Sequence, residues 1–179
     1  MSTETTQEKP AYCVQANGDL VLNKAGMEVD DRYREARIEH ARLNNCWAGA
    51  VLARLFLKHR WLDAFGLSFE VRSEYDDSGG FHRCVSCWIS APRVVEGHAL
   101  PEEVSAEGEF DPDAAASFLE EELEGNGWDL YAGLAEDPEG YDAVVVTLER
   151  SAIAALLQQA PFDGSLACDA WGLARSTPA

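Results

Sequence analysis

The sequence predicts an α+β protein, a single domain built mainly on antiparallel sheet, and three observations carry that expectation. Alternating apolar and polar stretches come in pairs joined by tight turns, best seen in "AYCVQANGDLVLN" around Asn17-Gly18. Helical patterns stand between such pairs and do not follow every strand, so few parallel crossovers are available. The chain has 179 residues, 46% of them hydrophobic, with 5 Trp, 5 Tyr and 7 Phe, enough for a sizeable core.

Taken in order, residues 1–10 ("MSTETTQEKP") lack both a basic start and an apolar stretch and read as a disordered polar tail, not a signal peptide. Strands are expected at about 11–16 and 19–23. "MEVDDRYREARIEHARL" carries acids in its first turn and bases later, predicting an amphipathic helix over 28–43. Asn44-Asn45 reads as a break before a second helix from Cys46 to about Ala64, apolar almost all round and therefore the central core helix. A hairpin follows in "FGLSFEVRSEYDDSGGFHRCVSCWIS". Residues 94–110 read as a long acidic loop, beyond the usual length of a connection. Asp111 as N-cap and Pro112 at the first helical position open an acidic helix. A second hairpin is expected up to about residue 149, then a helix over 150–160 ended by Pro161.

The predicted order is ββααββαββα, with about four helices. Two stretches share one layout of helix, Gly, strand, acidic turn, aromatic and strand: Gly66 precedes Phe81 as Gly127 precedes Tyr141, the pattern of a weak αββ duplication. Residues 11–93 then form one half, and 111–179 an acidic helix-hairpin-helix half of the same domain.

Charge is the most informative feature. The net charge is −18, yet Lys and Arg are absent from the whole interval between Arg93 and Arg150, which holds seventeen Asp and Glu. The flanking regions are close to neutral. An adaptation for solubility alone would spread acids over the entire surface, so the asymmetry points to a partner. "FLEEELEGNGWDLY" poses the question most sharply. Carboxylates at a helix C-terminus oppose the macrodipole, and Glu120 and Glu124 form a like-charge i,i+4 pair. Asp113, Ser117, Glu120 and Glu124 fall on one stripe, while Glu122 falls on the apolar side.

Duplex DNA carries one charge per about 1.7 Å of axis, so seventeen carboxylates match roughly 29 Å of it. The expected function is a non-enzymatic acidic inhibitor that imitates nucleic acid before a basic, nucleic-acid-binding partner, comparable in composition to anti-CRISPR and antirestriction proteins. An immunity protein against a basic toxin is an alternative with the same chemistry. The expected partner-binding residues are Glu107, Glu109, Asp111, Asp113, Glu120, Glu121, Glu124, Trp128, Asp129, Tyr131, Glu136, Asp137, Glu139 and Tyr141, the aromatics serving as anchors. Direct nucleic-acid binding is disfavoured by sign.

A second functional class is a cysteine hydrolase of papain-like or transglutaminase-like type. Cys46 at a helix N-terminus would be favoured as thiolate, with His82 as base and Asp76 or Asp77 orienting it. Metal sites are not expected. Cys84 and Cys87 in "HRCVSC" should point to opposite faces of a strand, and "DPDAAASFLEEE" lacks the Gly and the central ligands of an EF-hand loop. His98 reads as a solvated histidine. No cofactor motif is present, five irregularly spaced Cys imply no disulfide framework, and the longest apolar run is too short for a bilayer, so a cytoplasmic location is expected.

Overall fold

Asn17 and Gly18 turn the chain between β1 (Tyr12–Val14) and β2 (Leu20–Leu22), Gly18 adopting a φ of 87° that side-chain-bearing residues resist. This computed structural model describes residues 9–75 and 77–174. Most of the expected N-terminal tail, residues 1–8, therefore lies outside the described residues, as does Asp76. Asn23 Oδ1 accepts the Gly26 amide and caps α1 (Lys24–Lys58). That helix is continuous for 35 residues, without the break expected at Asn44-Asn45. Asn45 is buried, and its side-chain amide donates to the carbonyls of Gly133 and Leu173. Its polar group is thus satisfied by tertiary partners, leaving the helical ladder intact.

The chain divides into two compact units, residues 1–40 and 41–179. The first holds the β1–β2 hairpin and the opening turns of α1. The second is built on β3 (Leu62–Tyr75), β4 (Phe81–Val94) and β7 (Val144–Glu149), an antiparallel sheet of order β4-β3-β7. The protein is α+β with antiparallel sheets, as the alternating stretches predict. Phe65, Leu67, Phe69 and Val71 bury one face of β3 in a core shared with Leu52, Leu55 and Phe56 of α1. Ser68, Glu70, Arg72, His82, Cys84 and Trp88 alternate onto the other face. α1 stops before the expected Ala64 because Leu62 already belongs to the sheet.

The stretch expected as a long loop is folded. A 3-10 turn (Glu102–Val104) buries Val104 and leads into a small hairpin of β5 (Ser105–Ala106) and β6 (Glu109–Phe110). Glu107 and Gly108 at its tip have φ of 54° and 86°, the left-handed pair that a two-residue hairpin turn uses. α2 (Pro112–Glu122) starts as expected: Asp111 accepts the amides of Asp113 and Ala114, and Pro112 takes the first turn. No αββ repeat follows. Gly127–Leu134 is a helix, α3, which buries Leu130 and Tyr131, and β7 is the one strand of that stretch among the described residues.

α4 (Arg150–Gln158) ends before Pro161, as predicted, and a further short helix, α5 (Gly164–Ala170), follows unforeseen. Asp163 caps α5, and Gly164 and Gly49 let the backbones of α5 and α1 approach closely. No helix among the described residues is long and apolar enough to cross a membrane.

Candidate functional site

The acids of the cation-free interval fall into two groups. One group serves the fold. Asp111 is the α2 cap, and Glu120 is half-buried, with Oε1 accepting the Ile89 amide at 2.9 Å. Ile89 lies on β4, an edge strand, so Glu120 occupies a backbone donor that would otherwise stay open to another strand. Glu122 is partly desolvated, and both its oxygens lie 2.6 Å from Lys58 Nζ. That hydrogen bond, above all, holds its carboxyl below the usual carboxylate range. Arg93 pairs with Glu149 at 2.9 Å. Glu120 is thereby corrected as a partner-binding residue: its carboxylate turns toward the sheet, and Glu121 takes the outward position on α2.

The second group is exposed: Glu96, Glu102, Glu103, Glu107, Glu109, Asp113, Glu121, Glu124, Asp129, Glu136, Asp137, Glu139 and Asp142. Asp113, Ser117 and Glu121 share the solvent face of α2 at i, i+4 and i+8, with Glu124 just beyond its end. Asp137 Oδ1 accepts the Glu139 amide in the turn before β7.

The three expected aromatic anchors differ. Tyr131 is fully buried, and its hydroxyl donates to the carbonyls of Gly140 and Asp142. Burial pushes its phenol above the ordinary range. It is a core residue, not an anchor, because α3 turns it inward beside Phe69. Trp128 and Tyr141 are 45% and 53% exposed. Between them lies Arg83, whose Cζ is 5.2 Å from the Trp128 ring centroid and 4.9 Å from that of Tyr141. The Arg83 guanidinium also donates to the carbonyls of Pro138 and Gly140. Arg83 ties the acidic 136–142 turn to β4, a role the sequence reading missed. The available signal was parity: Arg83 shares the strand face of the inward residues Val85, Cys87 and Ile89.

The hydrolase residues do not form a dyad. Cys46 lies within α1 and not at its start; its sulfur instead meets the N-terminal end of α5, where the Ser165 and Gly164 amides favour the thiolate but the Asp163 carboxylate opposes it. Its Sγ donates to Asp163 Oδ1 at 3.1 Å, and that hydrogen bond with burial pushes the thiol above its ordinary range. His82 stands opposite Glu74 on the uncovered sheet face, away from the core that α1 covers, and Asp77 is exposed in the turn.

Cys84 and Cys87 do point to opposite faces. Cys87 is directed to the core side, where burial pushes its thiol to about 11, while Cys84 lies 3.5 Å from Glu74 Oε2. The stretch 111–122 is helical, not a cation-binding loop. His98 is exposed and borders, with Arg60 and Arg150, a cleft beside Phe56 and Leu157.

What the fold and site define is a class: an α+β protein carrying an exposed, largely unneutralised acidic segment. Compared with protein-family models, curated proteins and solved structures, the chain matches none.

Proposed function

We propose that the protein is a non-enzymatic inhibitor whose carboxylates from residues 96–142 enter the cationic nucleic-acid-binding groove of a partner and block it by occupancy, as anti-CRISPR and antirestriction mimics do. One observation carries this: four of the cations beside the segment are engaged internally, whereas many of its carboxylates form no ion pair. Lys58, Arg93, Arg83 and Arg150 bind Glu122, Glu149, the 138–140 turn and the end of α1. Among the described residues, Glu102, Glu103, Glu107, Glu109, Asp113, Glu121, Glu124, Asp129 and Glu136 form no ion pair and remain exposed.

Setting aside Asp111, Glu120, Glu122, Glu139 and Glu149 leaves twelve carboxylates, the charge of roughly 20 Å of duplex. Such a field accelerates encounter with a basic partner and weakens with salt. The exposed parts of Trp128 and Tyr141 supply apolar contact beside Asp129 and Asp142.

Cleavage of duplex DNA by a CRISPR effector, a restriction enzyme and a cationic nuclease toxin tests the proposal. One of them should be inhibited by stoichiometric protein, in competition with DNA and less so at high salt. The triple variant Asp113→Lys/Glu121→Lys/Glu124→Lys should keep its circular dichroism and lose the inhibition. Inhibition that survives this reversal, or none in any of the three assays, overturns the proposal.

A further inference from the structure

Glu74, His82 and Cys84 converge near the turn end of the β3–β4 hairpin. Glu74 and His82 are direct cross-strand partners, and Cys84 is two residues beyond His82, hence on the same face. One ligand atom from each lies within 4.8 Å of the other two. We propose that these three side chains bind a divalent transition ion of the zinc type, with a fourth position open to water or to a ligand from a partner.

Geometry supports this first. Bonds of roughly 2.0–2.3 Å around a tetrahedral ion place ligand atoms roughly 3.3–3.8 Å apart. Cys84 Sγ and Glu74 Oε2 are already 3.5 Å apart. The imidazole atom, within 4.8 Å of the other two, has to close by at most roughly 1–1.5 Å to reach tetrahedral spacing, on a backbone whose register is held by the ladder from Glu74↔His82 to Leu67↔Ile89. The carboxylate is also oriented: Arg72 Nε donates to Glu74 Oε1 at 2.6 Å, leaving Oε2 as the oxygen beside the thiol. Outer hydrogen bonds of this kind fix ligand orientation at metal centres.

The donor set selects the ion. One sulfur, one imidazole nitrogen and one carboxylate oxygen suit zinc or cobalt, whereas magnesium and calcium require oxygen ligands throughout. Binding exchanges the Cys84 S–H bond for a sulfur–metal bond and releases that proton to solvent, with no change of oxidation state. The site is independent of the carboxylate surface and of the Cys84-x-x-Cys87 spacing, because Cys87 faces the core.

Titration of the full-length reduced protein with cobalt(II), followed by displacement with zinc, tests the site. A near-ultraviolet thiolate-to-cobalt charge-transfer band should appear, with release of one proton per ion. Cys84→Ser should abolish the band, His82→Ala should weaken binding at least tenfold, and Arg72→Ala should weaken it about tenfold. Cys13→Ser and Cys87→Ser should leave the band in place. No band, a band that persists in Cys84→Ser, or one lost in Cys13→Ser would overturn the proposal.

Discussion

Replacing Arg150 removes the side chain that closes the C-terminus of α1. Its Nε donates to the Leu62 carbonyl at 2.6 Å, and its Nη2 donates to those of Phe56 and His59 at 2.7 and 2.8 Å. The same guanidinium lies 5.5 Å from the Phe56 ring centroid. The last carbonyls of a helix have no intrahelical donors, and a cation there also complements the macrodipole. Hydrogen bonds to a charged donor contribute about 1.5–3 kcal/mol each, so three amount to about 5–9 kcal/mol before water re-enters. Because the guanidinium borders a cleft, water can reach part of the vacated space. Leu62 and Phe56 are both 0% exposed, against 7% for His59, so their carbonyls are the harder ones to resolvate.

Arg150→Ala should therefore destabilise the fold by about 3–5 kcal/mol, a large share of a typical total. Arg150→Lys should recover less than half, since an ammonium is a point charge that cannot span three carbonyls. Urea unfolding, followed by circular dichroism and Trp fluorescence at unchanged m-value, measures both. A loss under about 1 kcal/mol for Arg150→Ala, or wild-type stability for Arg150→Lys, would refute the reasoning.

A methyl group at Gly164 would press on the Cys46 carbonyl and lie 2.5 Å from Ala50 N, so Gly164→Ala should cost about 3 kcal/mol or more in the same assay. Gly127→Ala, which meets nothing closer than 3.7 Å, should be tolerated. Acid should weaken the fold in two steps. His59 is held below its ordinary 6.5, chiefly by burial, so the unfolded chain binds its proton first and stability falls as pH drops below about 6.5. Glu122, held below 4.5 chiefly by Lys58, adds a second loss as pH falls further. Urea midpoints for His59→Gln should show a flatter decline between pH 7 and 5.5; an unchanged slope there would remove His59 from the account.

Features whose causes are local were legible in the chain. Asn17-Gly18 encodes its hairpin, Asp111-Pro112 encodes the start of α2, and the alternation from Phe65 to Val71 encodes a half-buried strand. The errors cluster where distant partners override local preference. Asn44-Asn45 has the composition of a break, but Gly133 and Leu173, far along the chain, satisfy the Asn45 amide. "GWDLYAGL" reads equally as strand or helix, and burial of Leu130 and Tyr131 makes it a helix. A strand assigned there is also what suggested a repeat.

The acidic site divides in the same way. That residues 94–149 lack every Lys and Arg is a property of the sequence alone, and no folding can neutralise that segment from within. Which carboxylates remain available is a tertiary matter, because it depends on which backbone amides and cations arrive beside them. Glu120 and Glu121 are neighbours of the same chemistry, yet one meets the Ile89 amide of an edge strand and the other meets solvent. A helix advances each residue by about 100°, so only the packed position of α2 against β4 could separate their fates.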